Sequence, residues 1–297
     1  MNPIATALSV IIIILPGPGG SDQASPPIGT APPASAAQAG DSGARPLLGL
    51  GVGGGDVAAV DLAGWKLAIP ETNDKGTAAS VAPTDAGAEP WMTKGQDGAV
   101  HMWAPVAGAT TPNSNHARTE LQSLTYFKAA TGRHQLSASV TVSQVPKARP
   151  DVIIGQIHGA GDISSVSWVM LHYDAGDIRV VVKQAQSGPR SDKYPLIAGV
   201  PLGARFDYTL SDNGDGNIIS TATYGATTKT ATIPISVAFK GATVRFQAGD
   251  YQQADSKAAG GGGSAGASDS EDGEDGARVT FHTLVARHDG ATEAANG

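Results

Sequence analysis

The sequence predicts an all-β fold, a sandwich or jelly roll, from three observations. Short segments with the two-residue alternation of β-strands recur from Asp61 onward. Pairs that favour tight hairpin turns lie between several of them: Asp97-Gly98, Asn213-Gly214 and Asp215-Gly216. No long amphipathic helical pattern competes with the strands. A single all-β domain over residues 57–290 is therefore the prediction.

Eleven segments are predicted as strands. In chain order they are residues 65–70, 99–103, 117–124, 136–142, 151–159, 166–173, 178–182, 206–210, 218–224, 243–248 and 279–285. Residues 211–217 superficially resemble a calcium-binding loop, but Asp212 and Asp215 lack the spacing of ligands that such a loop needs. A hairpin turn is the prediction there.

Charge and composition narrow the class of function. The net charge is -7 and only 16% of residues are charged, which argues against a nucleic-acid binder held by a basic surface. Five acidic residues against Lys257 alone lie between Ser256 and Gly276, so the rest of the chain is nearly neutral and compatible with a polyanionic ligand. The chain has no cysteine, so disulfides, thiolate metal sites and cysteine nucleophiles are excluded.

The amino-terminal region has the composition of a targeting segment. Residues 5–15 are an apolar run too short to span a bilayer, and an Ala34-Ser35-Ala36 triplet resembles a cleavage site. We expect a signal peptide over residues 1–36, secretion to the extracellular space, and no membrane association after its removal. An apolar tail is the alternative, because no Lys or Arg precedes the run.

Two further segments have the composition of disordered chain. Residues 37–56 are rich in Gly, Pro and Ala, which is typical of a flexible linker. Residues 258–276 are acidic and rich in Gly, with little that could be buried, and are predicted to be a disordered insertion within the domain.

An unusual pairing of polar residues occurs in the strand predicted at 151–159. At strand periodicity Gln156 and His158 share one face, while Ile157 points to the other. The glycines on either side weaken a strand but let a ligand approach closely. A polar edge that merely faces water is the simpler alternative for this stretch alone.

Two other strands have the same polar periodicity. Each has an apolar side and a side rich in hydrogen-bonding groups: Arg118, Glu120 and Gln122 in one, and Arg245, Gln247, Gly249 and Tyr251 in the other. For either strand alone, a solvated sheet face is the simpler explanation. Such faces usually carry Lys, Glu and Thr, however, so the combination of Arg, Gln, His and Tyr favours a binding or catalytic surface.

Three short motifs carry a family resemblance. Arg118-Thr-Glu-Leu121, Gln156-Ile-His158 and Phe246-Gln-Ala-Gly-Asp-Tyr-Gln252 resemble, in order, the signature segments of the alginate lyases of polysaccharide lyase family 7. Residues 65–70 resemble the opening strand of that domain, and the resemblance extends roughly from Asp61 to His288. It implies a β-jelly roll of two antiparallel sheets, with a concave groove in which a uronic-acid polymer is cleaved by β-elimination without a metal or other cofactor.

The resemblance also implies roles for individual residues. Arg118 and Gln156 would neutralise the uronate carboxylate, His158 would be the general base, and Tyr251 would be the general acid or, for one sugar epimer, both. Four further residues would contact substrate: Glu120, Gln122, Gln247 and Gln253. These types suit the chemistry, because a charge-assisted arginine bond and an amide stabilise the dianion formed when C5 loses its proton, and a neutral imidazole accepts that proton.

Two departures from the family pattern bear on the substrate. Family members commonly have Arg at the position of Gln122 and Lys at that of Gln247, so two positive charges that would hold a polyanion are missing. Alginate remains the leading substrate, and another polyuronate such as glucuronan is the alternative. The isoleucine at position 157 resembles the form that accompanies acceptance of guluronate-containing blocks.

Other classes of function are consistent with parts of this pattern. A non-catalytic jelly-roll lectin would share the fold but would not need Arg118, Gln156, His158 and Tyr251 together. A glycoside hydrolase would need a pair of carboxylates, and only Glu120 is placed on the polar face. The prediction is therefore a secreted, monomeric, endo-acting lyase whose partner is an acidic polysaccharide and not a nucleic acid.

Overall fold

Two antiparallel β-sheets form the frame of the protein in the computed structural model, which describes residues 60–256 and 274–294. The strands are β1 (Trp65–Thr72), β2 (Ala78–Val81), β3 (Met92–Lys94), β4 (Val100–Pro105), β5 (Arg118–Ser123), β6 (Thr125–Lys128), β7 (Arg133–Gln144), β8 (Asp151–Gly159), β9 (Ser167–Asp174), β10 (Asp177–Lys183), β11 (Ser191–Ile197), β12 (Arg205–Asp212), β13 (Asn217–Tyr224), β14 (Thr227–Pro234), β15 (Thr243–Gln252), β16 (Gly276–Asp289) and β17 (Thr292–Ala294). Short 3₁₀ turns occur at Ala86–Ala88 and Gly161–Ile163. The predicted jelly-roll class of all-β fold is confirmed.

Each sheet has its own order of hydrogen-bonded strands. Sheet A runs β11-β10-β9-β8-β15-β5-β1-β2, with β6 paired to β15 and β17 paired to β6, and sheet B runs β14-β13-β12-β7-β16-β4-β3. Among the described residues no helix is long and apolar enough to cross a membrane. The predicted signal peptide (1–36) and linker (37–56) lie outside the described residues.

The core lies between the sheets and is built from one face of each strand. Fully buried side chains contributed by the central strands of both sheets include Leu67, Leu121, Phe246, Val140, Leu210 and Phe281. Each large apolar side chain buried in this way contributes about 1.5–3 kcal/mol. The Tyr208 hydroxyl of sheet B also donates to the Ile154 carbonyl of sheet A at 2.9 Å, which fixes one sheet against the other.

The strands that the sequence pattern missed are short or peripheral. All eleven predicted segments coincide with strands, and the hairpin predicted at 211–217 joins β12 to β13. The strands without a prediction are β2, β3, β6, β11, β14 and β17. Four of them end a sheet, where strands bury few side chains, so the apolar alternation that reveals a strand is weak.

A β-bulge in β8 decides which of its side chains face the core. Val152, Ile154 and Ile157 all lie in the core, although strict alternation would put Ile154 and Ile157 on opposite faces. Ile153 and Gly155 of β8 pair with two consecutive residues of β9, so Ile154 has no partner on β9 and is the extra residue of the bulge. Gln156 and His158 consequently lie opposite Ile157, as predicted, on the outer face of sheet A, here called the polar face.

The carboxyl end of the predicted insertion is part of the fold. Residues 257–273 lie outside the described residues, but Asp275 accepts hydrogen bonds from the backbone N–H groups of Val106 at 2.8 Å and Lys147 at 2.9 Å. Gly276 begins β16 and pairs with Pro105. The predicted boundary at 276 is therefore too late, and a deletion of the acidic segment should end at residue 273.

Asp250 is a buried acidic group on the core side of β15. It is 0% exposed, and neither carboxylate oxygen makes a well-formed hydrogen bond within the described residues. Burial raises the pKa of this carboxyl well above its usual range, and the nearby Ala104 N–H offsets only part of that effect. The folded state therefore holds a proton that the unfolded chain releases, so stability falls as the pH rises from the unfolded pKa toward the folded one.

Replacing Asp250 with Asn should stabilise the protein at neutral pH. The amide has nearly the same shape and no proton to lose, so we expect a rise in Tm of at least about 2 °C at pH 7 and a flatter dependence of Tm on pH. Thermal unfolding from pH 4 to 8 measures both, with the exposed Asp192→Asn as the matched control. A lower Tm for Asp250→Asn at pH 7 would show that the carboxylate is ionised and stabilising.

Candidate active site

Strand register brings the three predicted motifs together on the polar face. β15 lies between β5 and β8, so the three motif strands are immediate neighbours in sheet A. The directly opposed pairs are Arg118 with Tyr251, Gln122 with Gln247, Gln247 with Gln156, and Arg245 with His158. Residues separated by about 90 to 130 positions in the sequence therefore lie on adjacent strands. All four predicted catalytic residues share this face.

Glu120 is a buried residue that hydrogen-bonds two of the predicted catalytic residues, Arg118 and Gln156. Its carboxylate accepts hydrogen bonds from Gln156 Nε2 at 2.5 Å and from Arg118 Nη1 at 3.2 Å, and it is 0% exposed. Glu120 reaches Gln156 across β15 because its opposite residue there is Gly249, where an added Cβ would lie 3.1 Å from the Glu120 Cβ. Burial raises the pKa of Glu120, and Arg118 and Gln156 oppose that rise.

The other predicted substrate-contacting residues are less exposed than expected. Gln247 is buried, and with its amide oriented to satisfy its neighbours it donates to Glu120 at 2.9 Å and accepts from Arg245 at 3.3 Å. Gln253 is buried, and its amide donates to the Tyr251 carbonyl at 3.1 Å. Glu120, Gln247 and Gln253 therefore hydrogen-bond other groups of the site, and Gln122 keeps exposed surface. Substrate contact by these four residues stays a prediction.

His158 has the tautomer and the charge state of a general base. Its Nδ1 lies 2.9 Å from the Gly159 carbonyl oxygen, to which it donates, so the lone pair is left on Nε2. Burial lowers the pKa of His158 to about 4; the Gly159 hydrogen bond opposes this, and the positive charges of Arg118, Arg245 and Lys183 add to it. The imidazole is therefore neutral at pH 7 and able to accept a proton.

Tyr251 is held by a residue that the motifs did not include. Its hydroxyl lies 2.9 Å from Ser114 Oγ, which itself donates to the His116 carbonyl at 3.1 Å. Because that bond uses the only hydrogen of Ser114, the phenol is the donor between the two hydroxyls. The Arg118 guanidinium lies 3.6 Å from the Tyr251 ring centre, in a cation–π arrangement. The one sequence signal for Ser114 is the polar run at 113–116 shortly before β5.

The fold and these contacts together define a class of protein. A neutral imidazole and a proton-donating phenol lie on one sheet face, with a guanidinium and amides between them that can hold an anion. No pair of free carboxylates faces them within the described residues, since Glu120 is bonded to Arg118 and Gln156. These groups have the chemistry that a β-jelly-roll enzyme would need to transfer protons on an anionic substrate.

Comparison with known families gives the same class independently. The profile of the alginate lyase family matches residues 60–288. That span is most of the chain and contains all three motifs, so the protein belongs to the alginate lyase family and is a polysaccharide lyase. The resemblance found in the sequence is thereby confirmed. No curated protein matches the chain.

Solved structures of alginate lyases share the fold. An alginate lyase from Pseudomonas aeruginosa is 24% identical, with a TM-score of 0.63 over 77% of this chain and 99% of that one. The family 7 alginate lyase A1-II′ in complex with a GGG product is 22% identical, with a TM-score of 0.62 over 78% and 98%. The exolytic alginate lyase AlyA5 from Zobellia galactanivorans is 15% identical, with a TM-score of 0.59 over 78% and 97%. At these identities the likeness establishes the jelly-roll architecture.

Proposed function

We propose that the protein is a secreted lyase that cleaves alginate within the chain by β-elimination and releases unsaturated oligouronates. The observation that carries the proposal is the convergence of Arg118, Gln156, His158 and Tyr251 on one face through the register of β5, β15 and β8. Family membership supports alginate as the substrate. The apolar run at 5–15 and the Ala34-Ser35-Ala36 triplet support secretion.

Each side chain has a defined part in this reaction. Arg118 and Gln156 bind the uronate carboxylate and offset the charge that develops when C5 is deprotonated. His158 Nε2 takes the C5 proton, the electrons of that bond form the C4–C5 double bond, and the C4–O bond breaks. Tyr251 gives its hydroxyl proton to the leaving glycosidic oxygen, and for the other epimer it both takes and gives a proton. Ser114 orients that hydroxyl.

The test is incubation of the purified protein with alginate while ultraviolet absorbance is recorded. Elimination creates a conjugated double bond that absorbs, whereas hydrolysis or simple binding does not. Absorbance that rises with alginate supports the proposal. Reducing ends without absorbance would indicate a hydrolase, and tight binding with neither signal would indicate a non-catalytic carbohydrate-binding protein.

Block preference gives a finer prediction. We expect higher activity on guluronate-rich or mixed alginate than on polymannuronate. Ile157 is fully buried beneath the polar face, so it acts only by setting the position of β8 and with it Gln156 and His158. Initial rates on the purified block polymers measure the preference, and glucuronan serves as a parallel substrate because Gln122 and Gln247 depart from the family pattern. A clear preference for polymannuronate would contradict the predicted guluronate preference. Activity on glucuronan alone would contradict alginate as the substrate.

A further inference from the structure

Two cationic side chains lie on the polar face and were not among the predicted site residues. Arg245 on β15 is directly opposite His158 on β8, and Lys66 on β1 is directly opposite Gln122 on β5. Arg245 Nη2 donates to Gln122 Oε1 at 2.8 Å, which brings the guanidinium across toward β1. The two positive charges are close enough that Arg245 adds to the effect of burial in lowering the pKa of Lys66.

Neither cation has a carboxylate partner among the described residues. Within residues 60–256 and 274–294, Arg118 pairs with Glu120, and Arg179 pairs with Asp151 and Asp174, but no ion pair involves Arg245 or Lys66. Glu120 attracts Arg245 only at longer range, because its oxygens bond Arg118 and Gln156. Burying two like charges without a counter-ion is unfavourable. An anion placed between them would offset the desolvation cost of each charge and their mutual repulsion.

Gln122 orients the Arg245 guanidinium so that it can bind a planar anion. Gln122 and Gln247 both accept from Arg245 Nη2, and Tyr126 also interacts with the guanidinium, so a ligand would be bound by the N–H groups on Nη1 and Nε that these contacts do not use. The Gln122 amide nitrogen makes no hydrogen bond in the described part of the chain, so it is a further donor. The sequence indicated that two cations were lost at positions 122 and 247; the structure instead places the Arg245 guanidinium between those two side chains.

We infer that Arg245, with Lys66 and Gln122, forms a second carboxylate-binding position beside His158, which holds a uronate of the bound polymer. Arg118 and Gln156 bind the carboxylate of the sugar that is cleaved. The Arg245 position binds the carboxylate of another sugar and so keeps the polymer aligned with His158. The inference rests on the proposed function for the identity of the ligand. It also implies that charge holds the polyanion although positions 122 and 247 carry no cation, so affinity should fall steeply with salt.

The experiment compares Arg245→Gln with Arg205→Gln, which removes the same charge from an exposed position on sheet B. Binding of alginate oligosaccharides is measured by calorimetry in a Tyr251→Phe background, which prevents turnover, and KM is measured in the otherwise unaltered protein. We expect Arg245→Gln to weaken binding about tenfold, or about 1.4 kcal/mol, and to reduce the dependence of binding on salt. Arg205→Gln should stay within about twofold, and Arg245→Lys should retain part of the affinity.

Unchanged affinity, KM and salt dependence in a folded Arg245→Gln protein would overturn the inference. A loss of affinity with unchanged salt dependence would also overturn it, since it would indicate a structural defect rather than a lost ion contact. Failure of the proposed function has a different signature. If the unaltered protein binds oligouronate but forms no unsaturated product, the lyase proposal fails, while the comparison of the two arginine variants still decides the Arg245 position.

Discussion

Replacing His158 with Asn is expected to lower kcat on alginate by about 10² to 10⁴ while leaving the fold intact, because a positioned base contributes that much to the rate. Asparagine can keep a hydrogen bond to the Gly159 carbonyl but cannot accept the C5 proton. Turnover is measured from the absorbance of the unsaturated product, and folding from Tm. The matched control is His282→Asn on sheet B, where the imidazole bonds the Thr141 hydroxyl. That variant should keep its activity.

The pH dependence of the unaltered protein tests the same assignment. The reactive form of His158 is neutral, and its pKa is lowered to about 4, so kcat/KM should change little between pH 7 and 5 and fall as the pH drops through about 4. If kcat/KM instead falls near the ordinary pKa of histidine, the His158 imidazole is more hydrated than its burial in the fold indicates. Full turnover by His158→Asn on every block polymer would remove His158 as the base.

The predictability of the strands depended on where each one lies. β8 and β15 are central in sheet A and almost wholly buried, so β15 has apolar residues at 244, 246 and 248, β8 has a short apolar run, and both strands could be identified. β14 could not be, because almost all of its side chains are exposed and its threonines pair with those of β13. Local sequence identifies a strand when burial constrains its residues, and an edge strand is held mainly by its backbone pairing.

The candidate site was predictable only where a motif carried it. Arg118, Gln156, His158 and Tyr251 belong to short segments with a recognisable order. The roles of Glu120 and Arg245 depend on cross-strand register, which no single segment contains. Glu120 extends across β15 because glycine stands at position 249, and Arg245 turns toward Gln122 on the next strand.

Replacing Glu120 should have the second large effect, on both stability and catalysis. Glu120→Ala removes the partner of the buried Arg118 guanidinium and the acceptor for Gln156. Breaking a buried pair by removing one partner costs about 3–5 kcal/mol, because an uncompensated charge remains. Glu120→Gln is the milder variant, since it keeps an amide beside Gln156 and loses only the charge. We expect both variants to have a lower Tm, with the alanine variant lower than the glutamine variant.

The division between kcat and KM shows whether Glu120 positions other groups or binds substrate. As a buried group that holds Arg118 and Gln156, it affects the contacts that strengthen when C5 is deprotonated, so Glu120→Gln should lower kcat by at least about tenfold with a smaller change in KM. A direct substrate contact would instead raise KM and leave kcat nearly unchanged. Gln122→Ala is the matched comparison, because Gln122 lies on the same strand face and keeps exposed surface. If Glu120→Gln raised KM alone, Glu120 would have to become exposed when substrate binds, and the positioning role would be wrong.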